Sequence, residues 1–172
     1  MPGTVHSVSI GELVVSKNPE DSLVAYGLGS CVAVSMYDPV TKVAGMIHSL
    51  LPKAANANGG AKTPAKFVDE GIPRLVEAIQ KAGGSKSRVI VYLCGGAQML
   101  AAPGFKNSLN IGERNVDTAE SILRASGFRI QARSTGGNSG RTVRMQVATG
   151  ELTVKTLGEG EKTLSSPMLK VS

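Results

Sequence analysis

The sequence contains few aromatic residues, no tryptophan and no long apolar run. Aromatic side chains make up 3% of the 172 residues, so the chain lacks the stacking platforms on which proteins bind single-stranded nucleic acid. No apolar run approaches the roughly 18 residues that a membrane-spanning helix needs, and the first residues do not have the pattern of a signal peptide. We therefore expect a cytoplasmic protein that neither binds nucleic acid nor inserts into a membrane.

Cysteine and histidine are also scarce. The two cysteines, Cys31 and Cys94, and the two histidines, His6 and His48, form no C-x-x-C or H-x-x-x-H pair. This spacing does not indicate a zinc site. In a reducing compartment we expect both thiols to be free, and Cys94, which follows the apolar run 89–93, is interpreted as a small core residue.

Acidic residues are few between positions 81 and 144. Ten basic residues lie between positions 81 and 144 against three acidic ones, and the net charge of the whole chain is +6. The simplest interpretation is a solvated surface that keeps the protein soluble. The alternative is a basic face that steers the protein to an acidic helical partner.

Apolar periodicity predicts a mixed α/β fold. With 41% hydrophobic residues, the chain is long enough for one domain with a sizeable core. Short apolar runs, several of them alternating, predict strands near 7–10, 14–16, 23–26, 31–37, 43–48, 88–93, 128–133, 141–148 and 152–156. One helix is predicted to begin at Thr63-Pro64, or near Ile72 because Pro73 interrupts it, and a second runs from Asn110 to a stop at Gly127.

These elements predict a single-domain mixed-sheet sandwich with helices packed on the sheet. We expect a β-α-β unit around the second helix and helices on two faces of the sheet. The predicted domain spans residues 1–156. Residues 157–172 mix glycine, charge and hydroxyl groups and predict a mobile C-terminal tail.

The most informative part of the sequence places a cysteine and a histidine on successive apolar segments. Cys31 follows the glycine-flanked run 27–30, and His48 lies seventeen residues later. The turn Asp38-Pro39 predicts a hairpin that returns the histidine beside the cysteine. The pair indicates a candidate nucleophile and base. The alternative is an inert core cysteine and a histidine that is merely hydrogen-bonded.

The glycines beside Cys31 favour the catalytic interpretation. Gly27 and Gly29 interrupt what would otherwise be a strand, which lets a substrate approach and leaves backbone N–H groups available as oxyanion donors. We expect this flank to expose Cys31, and we expect His48 to lower the pKa of its thiol from the usual value of about 8.5.

Six short elements in the same order resemble the chemoreceptor glutamine deamidase family, CheD. The similarity extends from about residue 10 to residue 155, and the elements lie at 27–34, 45–52, 66–69, 95–99, 111–115 and 136–141. Each element alone is weak evidence, but six in order are specific. The resemblance implies an α/β sandwich and a cysteine hydrolase of bacterial chemotaxis, which converts glutamine side chains of methyl-accepting chemoreceptors to glutamate. Some members also hydrolyse receptor methyl esters and bind a CheC-type phosphatase.

Carried over position by position, Cys31 matches the family's nucleophile and His48 its general base. The family's third residue, a threonine six positions before the cysteine, is replaced here by Ala25. An alanine has no hydroxyl with which to orient the imidazole. A backbone carbonyl, or a hydroxyl of Ser30, Tyr26 or Ser49, is therefore expected to take that role.

The chemistry we predict is amide hydrolysis through a thioester, with backbone N–H groups around Gly29, Ser30 and Cys31 holding the oxyanion. No cofactor is needed. Residues that line or shape the site are expected among Gly95, Gly96, Arg114 and Asn115, although the two glycines serve a turn equally well. The loop 54–62 is a candidate lid or an ordinary surface loop.

Two other functions remain open from the sequence. The absence of the threonine favours a weakly active, deamidase-like binding module that regulates a CheC-type phosphatase, whereas retention of Cys31 and His48 argues against it. Hydrolysis of an unrelated amide is the third hypothesis, because no residue specifies which glutamine is recognised.

Overall fold

The computed structural model describes residues 3–54, 63–99 and 110–165. Within these ranges the elements are β1 (Val5–Ser7), β2 (Leu13–Ser16), β3 (Ser22–Leu28), β4 (Val32–Asp38), β5 (Val43–Ser49), α1 (Val68–Lys81), β6 (Ile90–Gly95), α2 (Ile111–Ala125), β7 (Ile130–Thr135), β8 (Arg141–Gln146), β9 (Leu152–Thr156) and β10 (Glu161–Ser165). The candidate lid at 54–62 lies, except for Ala54, outside the described residues.

The strands form two mixed sheets. The first sheet has the order β1-β3-β8-β9-β10 and the second has the order β2-β5-β4-β6-β7. Each sheet contains one parallel pair, β1 with β3 and β6 with β7, and the other pairs are antiparallel. The predicted β-α-β unit is confirmed, because α2 connects the parallel strands β6 and β7.

Three layers result from the way the second sheet buries both of its faces. One face packs on the first sheet and forms the inter-sheet core, which includes Leu23, Ala25, Val143, Met145, Cys31, Ala33, Met46, Tyr92 and Cys94. The other face packs on both helices through residues such as Val34, Ile47, Leu93, Ile72, Leu75 and Leu123. The mixed-sheet sandwich is confirmed. The expectation of helices on two faces is wrong, because the first sheet occupies the face opposite the helices.

Helix α1 begins at neither of its predicted starts. Phe67 has extended backbone angles at the N-cap, and the helix runs from Val68 through Pro73 to Lys81. A proline inside a helix removes one backbone hydrogen bond and costs about 3 kcal/mol. The helix continues through it because Val68, Ile72, Leu75 and Ile79 are buried on one face against the second sheet. Tertiary packing thus outweighs the local break.

The C-terminal segment contains a strand that the sequence did not predict. Glu161–Ser165 form β10, which pairs antiparallel with β9. Residues 157–160 of the predicted mobile tail form the connection between β9 and β10, and residues 166–172 lie outside the described residues. Within the described ranges, neither helix has the length and apolar character needed to span a membrane.

Candidate active site

In the hairpin of β4 and β5, Cys31 directly precedes the first residue of β4 and His48 is the next-to-last residue of β5. Ala33 lies directly opposite His48 in the antiparallel register, and Cys31, two residues before Ala33, belongs to the same inter-sheet core. Cys31 lies one residue beyond the last paired position of β4, so the register brings its segment and the imidazole to the same end of the hairpin. The predicted hairpin is confirmed. Its turn is held by the buried Asp38 carboxylate, which accepts hydrogen bonds from the backbone N–H groups of Val40 and Thr41.

The ring of His48 is hydrogen-bonded to the main chain of Val8. Its Nδ1 lies 2.8 Å from the Val8 carbonyl oxygen. Because a carbonyl oxygen only accepts, Nδ1 carries the proton, and Nε2 is the basic nitrogen of the neutral ring. The backbone of His48 is held as well, since its N–H donates to the Glu12 carbonyl and its carbonyl accepts from Gly11 N–H.

Val8 lies next to Ala25 in the first sheet. The parallel register pairs Ser7 with Val24, and the Val8 N–H donates to the Val24 carbonyl at 2.7 Å. Ala25 is fully buried and faces the inter-sheet core. The Val8 carbonyl that binds His48 therefore belongs to the chain next to Ala25, the position at which the family has a threonine. This is the backbone alternative among the predicted orienting groups.

The hydroxyl groups predicted as alternative orienting groups for His48 belong to Tyr26, Ser49 and Ser30. Tyr26 is 52% exposed at a bulge in β3. Ser49 is buried and lies opposite Val32, a residue of the helix-side face of the second sheet. Ser30 stays beside Cys31 in the chain, with its carbonyl bound by Asn115.

Burial sets the protonation of the pair. Desolvation lowers the pKa of His48, partly offset by the Val8 hydrogen bond and the charge of Glu12. Desolvation raises the pKa of the Cys31 thiol, partly offset by its own backbone N–H. The free site therefore holds a thiol and a neutral imidazole. The expectations that the glycine flank exposes Cys31 and that its pKa is lowered are wrong, since Cys31 is only 7% exposed.

The second thiol lies on the same face but deeper. Cys94 is opposite Ala33 on β6, and desolvation raises its pKa to about 12. Both cysteines are free, as predicted, and Cys94 is a core residue. Within the described ranges, no group of three or more histidine, cysteine, aspartate or glutamate side chains could hold a metal ion.

The loop after β6 supports the loop of Cys31. Gly96 N–H donates to the Cys31 carbonyl and Ala97 N–H donates to the Gly29 carbonyl, each at 2.8 Å. Gly95 and Gly96 have φ angles of 107° and 70°, and a Cβ on Gly95 would lie 2.3 Å from the Cys31 carbonyl oxygen. Both glycines are therefore required for the turn and for its contact with the nucleophile loop.

Arg141 braces this turn from the first sheet. Its Nη1 donates to the Gly95 carbonyl at 2.9 Å and its Nη2 donates to the Gly136 carbonyl at 2.7 Å. The guanidinium is buried. Sequence analysis noted the element at 136–141 but assigned no role to the arginine. In the sequence, the only indication of this bracing role is an arginine directly after a glycine-rich loop, and that pattern is not specific.

Asn115 connects the loop of Cys31 to the strand of His48. Its Nδ2 donates to the carbonyls of Ser30 and Leu50 at 2.9 and 3.0 Å. Asn115 thus contacts both segments of the predicted site, and its role in shaping that site stays a prediction. Arg114, its neighbour on α2, is exposed and faces away from the core.

Comparison with known proteins assigns the chain to a family. The family described as CheD chemotactic sensory transduction matches residues 50–156. A Symbiobacterium thermophilum protein named "Probable chemoreceptor glutamine deamidase CheD" is 39% identical over 160 residues, 93% of this chain and 97% of that protein. A Pyrococcus abyssi protein of the same name is 44% identical, covering 90% of this chain and 93% of its own length.

The Thermotoga maritima protein named "Chemoreceptor glutamine deamidase CheD" is 41% identical over 155 residues, which cover 90% of this chain and 94% of that protein. The family match covers more than half of the chain. The resemblance stated from the six elements is thereby confirmed: the chain belongs to the CheD family.

Proposed function

We propose that this protein is a cysteine-dependent protein-glutamine deamidase that converts glutamine side chains of chemoreceptors to glutamate. The observation that carries the proposal is the buried His48 ring, whose Nδ1–H is committed to the Val8 carbonyl on the face that also bears Cys31. This arrangement leaves Nε2 as the base for the thiol. The names of the relatives supply the substrate class.

The first half-reaction transfers the acyl group to sulfur. His48 Nε2 takes the proton of the Cys31 thiol as the sulfur attacks the carboxamide carbon, and the resulting imidazolium protonates the leaving nitrogen. The C–N bond breaks, ammonia departs and a thioester forms. Because the free site holds a thiol and a neutral imidazole, the charges appear only in the presence of substrate.

The second half-reaction restores the enzyme. Neutral His48 takes a proton from water as the water oxygen attacks the thioester carbon. The C–S bond then breaks, and the proton returns to sulfur. The sum is one amide and one water converted to one carboxylic acid and one ammonia, with no cofactor.

The oxyanion of both tetrahedral states requires backbone donors. In the described part of the chain, the N–H groups of Gly29, Ser30 and Cys31 donate no hydrogen bond to another residue, although that of Cys31 is directed at its own sulfur. Their carbonyls, in contrast, are fixed by Ala97, Asn115 and Gly96. A loop that is held by its carbonyls, and whose N–H groups donate to no other described residue, suits an oxyanion site.

The Val8 carbonyl takes the orienting role of the missing threonine. In catalytic triads the third residue fixes the tautomer and orientation of the histidine and is not itself protonated. A main-chain carbonyl can do both. The replacement of threonine by Ala25 is therefore compatible with activity, and this weakens the case for a binding module without catalysis.

The partners follow from the substrate. Receptor helices of the kind that this family acts on are cytoplasmic, and we place the enzyme there. The net charge of +6 favours association with an acidic helical partner. A CheC-type phosphatase remains a second proposed partner.

The decisive experiment incubates purified protein with a receptor cytoplasmic fragment and measures ammonia release together with the mass increase of each converted glutamine. We expect conversion by the wild type and by Asn138→Ala, an exposed-loop control, and none by Cys31→Ser. Wild-type turnover by Cys31→Ser would overturn the mechanism. A wild type that binds a CheC-type phosphatase but converts no receptor would favour the binding module instead.

A further inference from the structure

The side chain of Asn115 joins the two segments that carry the proposed nucleophile and base. One nitrogen, Nδ2, donates to the carbonyl of Ser30 and to the carbonyl of Leu50. Ser30 directly precedes Cys31, and Leu50 follows His48 by two residues. Both acceptors are carbonyl oxygens, so only the NH2 end of the amide can face them.

These two carbonyls lie just beyond the end of a strand ladder. The last paired residues of β4 and β5 are Val32 and Ser49, so Cys31 and Leu50 are outside the register that fixes the rest of the hairpin. The loop after β6 holds the carbonyls of Gly29 and Cys31, but it does not connect the Cys31 segment to the strand of His48. The two hydrogen bonds of Asn115 extend the connection between the strands by one further position.

The helix that carries Asn115 is itself held against the site. Gly112, one turn earlier on α2, is so close to the loop after β6 that a Cβ there would lie 2.4 Å from the Ala97 carbonyl oxygen and 2.6 Å from that of Gly96. The same loop binds the carbonyls of Gly29 and Cys31. The loop after β6 therefore contacts helix α2 on one side and the loop of Cys31 on the other.

Stability alone does not account for the amide. Asn115 is fully buried, and its Oδ1 has no hydrogen-bond partner in the described part of the chain. A buried polar atom without a partner is unfavourable, and such exceptions call for a reason. A buried amide that donates two hydrogen bonds across the site, while its oxygen has no partner among the described residues, fits a positioning role.

We infer that Asn115 is a positioning residue for the deamidation, which holds the Cys31 loop at the distance from His48 that proton transfer requires. The inference rests on the proposed function. Small displacements of a reacting group reduce the rate of a positioned reaction strongly, so loss of these two hydrogen bonds lowers turnover more than substrate binding.

The test compares Asn115→Asp and Asn115→Ser with the control Ile122→Ala. Asp has the volume of Asn but, when ionised, no donor, whereas Ser can keep one donor and serves if the Asp variant does not fold. Ile122 is half-buried on the same helix and packs in the helix-side core, so its truncation loosens α2 without touching either carbonyl. Turnover, KM, thermal unfolding and the pH profile of Cys31 alkylation are measured for each.

We expect kcat to fall at least tenfold in both Asn115 variants with KM within about twofold, while Ile122→Ala keeps its kcat despite a lower unfolding temperature. Alkylation of Cys31 near neutral pH should lose its dependence on His48, so that its pH profile matches that of His48→Ala. A wild-type kcat and alkylation profile in a folded Asn115→Asp would overturn the inference, as would a loss of kcat in Ile122→Ala proportional to its loss of stability.

The experiments distinguish a failure of the proposed function from a failure of the positioning role of Asn115. Alkylation is measured without receptor and reports the geometry of the thiol even if the reaction is another one. If Cys31→Ser retains turnover, the proposed function is wrong. If Cys31→Ser is inactive and the Asn115 variants are fully active, only the positioning role is wrong.

Discussion

His48 Nδ1 donates a 2.8 Å hydrogen bond to the carbonyl oxygen of Val8. Val8 follows β1, whose parallel pairing with β3 sets it beside Ala25. The group that orients the histidine is thus a main-chain atom. A substitution at position 8 removes it only if the substitution also changes the path of the backbone. This relationship leads directly to the first prediction.

Replacing Ala25 by threonine should change kcat by about tenfold or less, because Val8 already holds the ring and one neutral hydrogen bond contributes about 1 kcal/mol net. Ala25 is fully buried, and added side-chain atoms in a packed core cost about 1–3 kcal/mol. A lower unfolding temperature is therefore expected. Turnover of both proteins on one receptor fragment is the measurement, and a much larger gain from a nearly inactive parent would support the binding module.

Cys31 should be alkylated faster than Cys94. Both thiols are desolvated, but the pKa of Cys94 is raised to about 12, and Cys94 is 1% exposed whereas Cys31 is 7% exposed. Limited treatment with iodoacetamide followed by peptide mass mapping compares the two rates. Preferential labelling of Cys94 would contradict the assignment of Cys31 as nucleophile.

Replacing His48 by alanine should leave the fold intact and lower kcat by several orders of magnitude, because deprotonation of the thiol and protonation of the leaving ammonia both need the imidazole. Receptor binding should persist. The matched control is His6→Ala, which removes the other histidine, a residue of β1 that pairs with Asp21. A folded His48→Ala with wild-type turnover would make His48 a structural residue.

The acidic limb of the activity profile should lie below the ordinary histidine pKa of 6.5, because burial lowers the pKa of His48. The neutral ring is the base, so kcat/KM should persist as the pH falls through 6.5 and decline only at the lowered pKa. The stability due to the buried neutral ring is complete above 6.5 and is lost as the pH falls below it. Measurements of kcat/KM and of thermal unfolding over the same pH series test the direction of both pH dependences.

Replacing Arg141 by alanine should destabilise the protein and slow turnover, since the carbonyl of Gly136 loses its guanidinium partner and the turn at Gly95 loses its brace. The Gly95 carbonyl keeps the Gly136 N–H as a donor, and the half-buried Gly136 carbonyl is left without its guanidinium, so a loss of about 1 kcal/mol is expected. Arg144→Ala, on the more exposed face of the same strand, is the control. Urea unfolding measures the difference, and equal stability of the two variants would contradict the bracing role.

Local patterns in the sequence determined most of the secondary structure. Short apolar runs located nine of the strands to within a few residues, because a strand buried on one face alternates, as β8 does, and a strand buried on both faces is continuously apolar, as β4 is. The glycine-rich flank of Cys31, the turn at Asp38 and the spacing to His48 were sufficient to predict the hairpin. The six ordered elements were sufficient to identify the family.

Only the tertiary structure decided how these elements form a site. The division into two sheets, the passage of α1 through Pro73 and the pairing of β10 depend on contacts between distant segments. The hydrogen bonds of His48 with Val8, of Asn115 with Leu50 and of Arg141 with Gly95 join residues 40, 65 and 46 positions apart. Their acceptors are main-chain carbonyls, which every residue possesses, so side-chain identity carries no signal of them and only the folded backbone brings them into place.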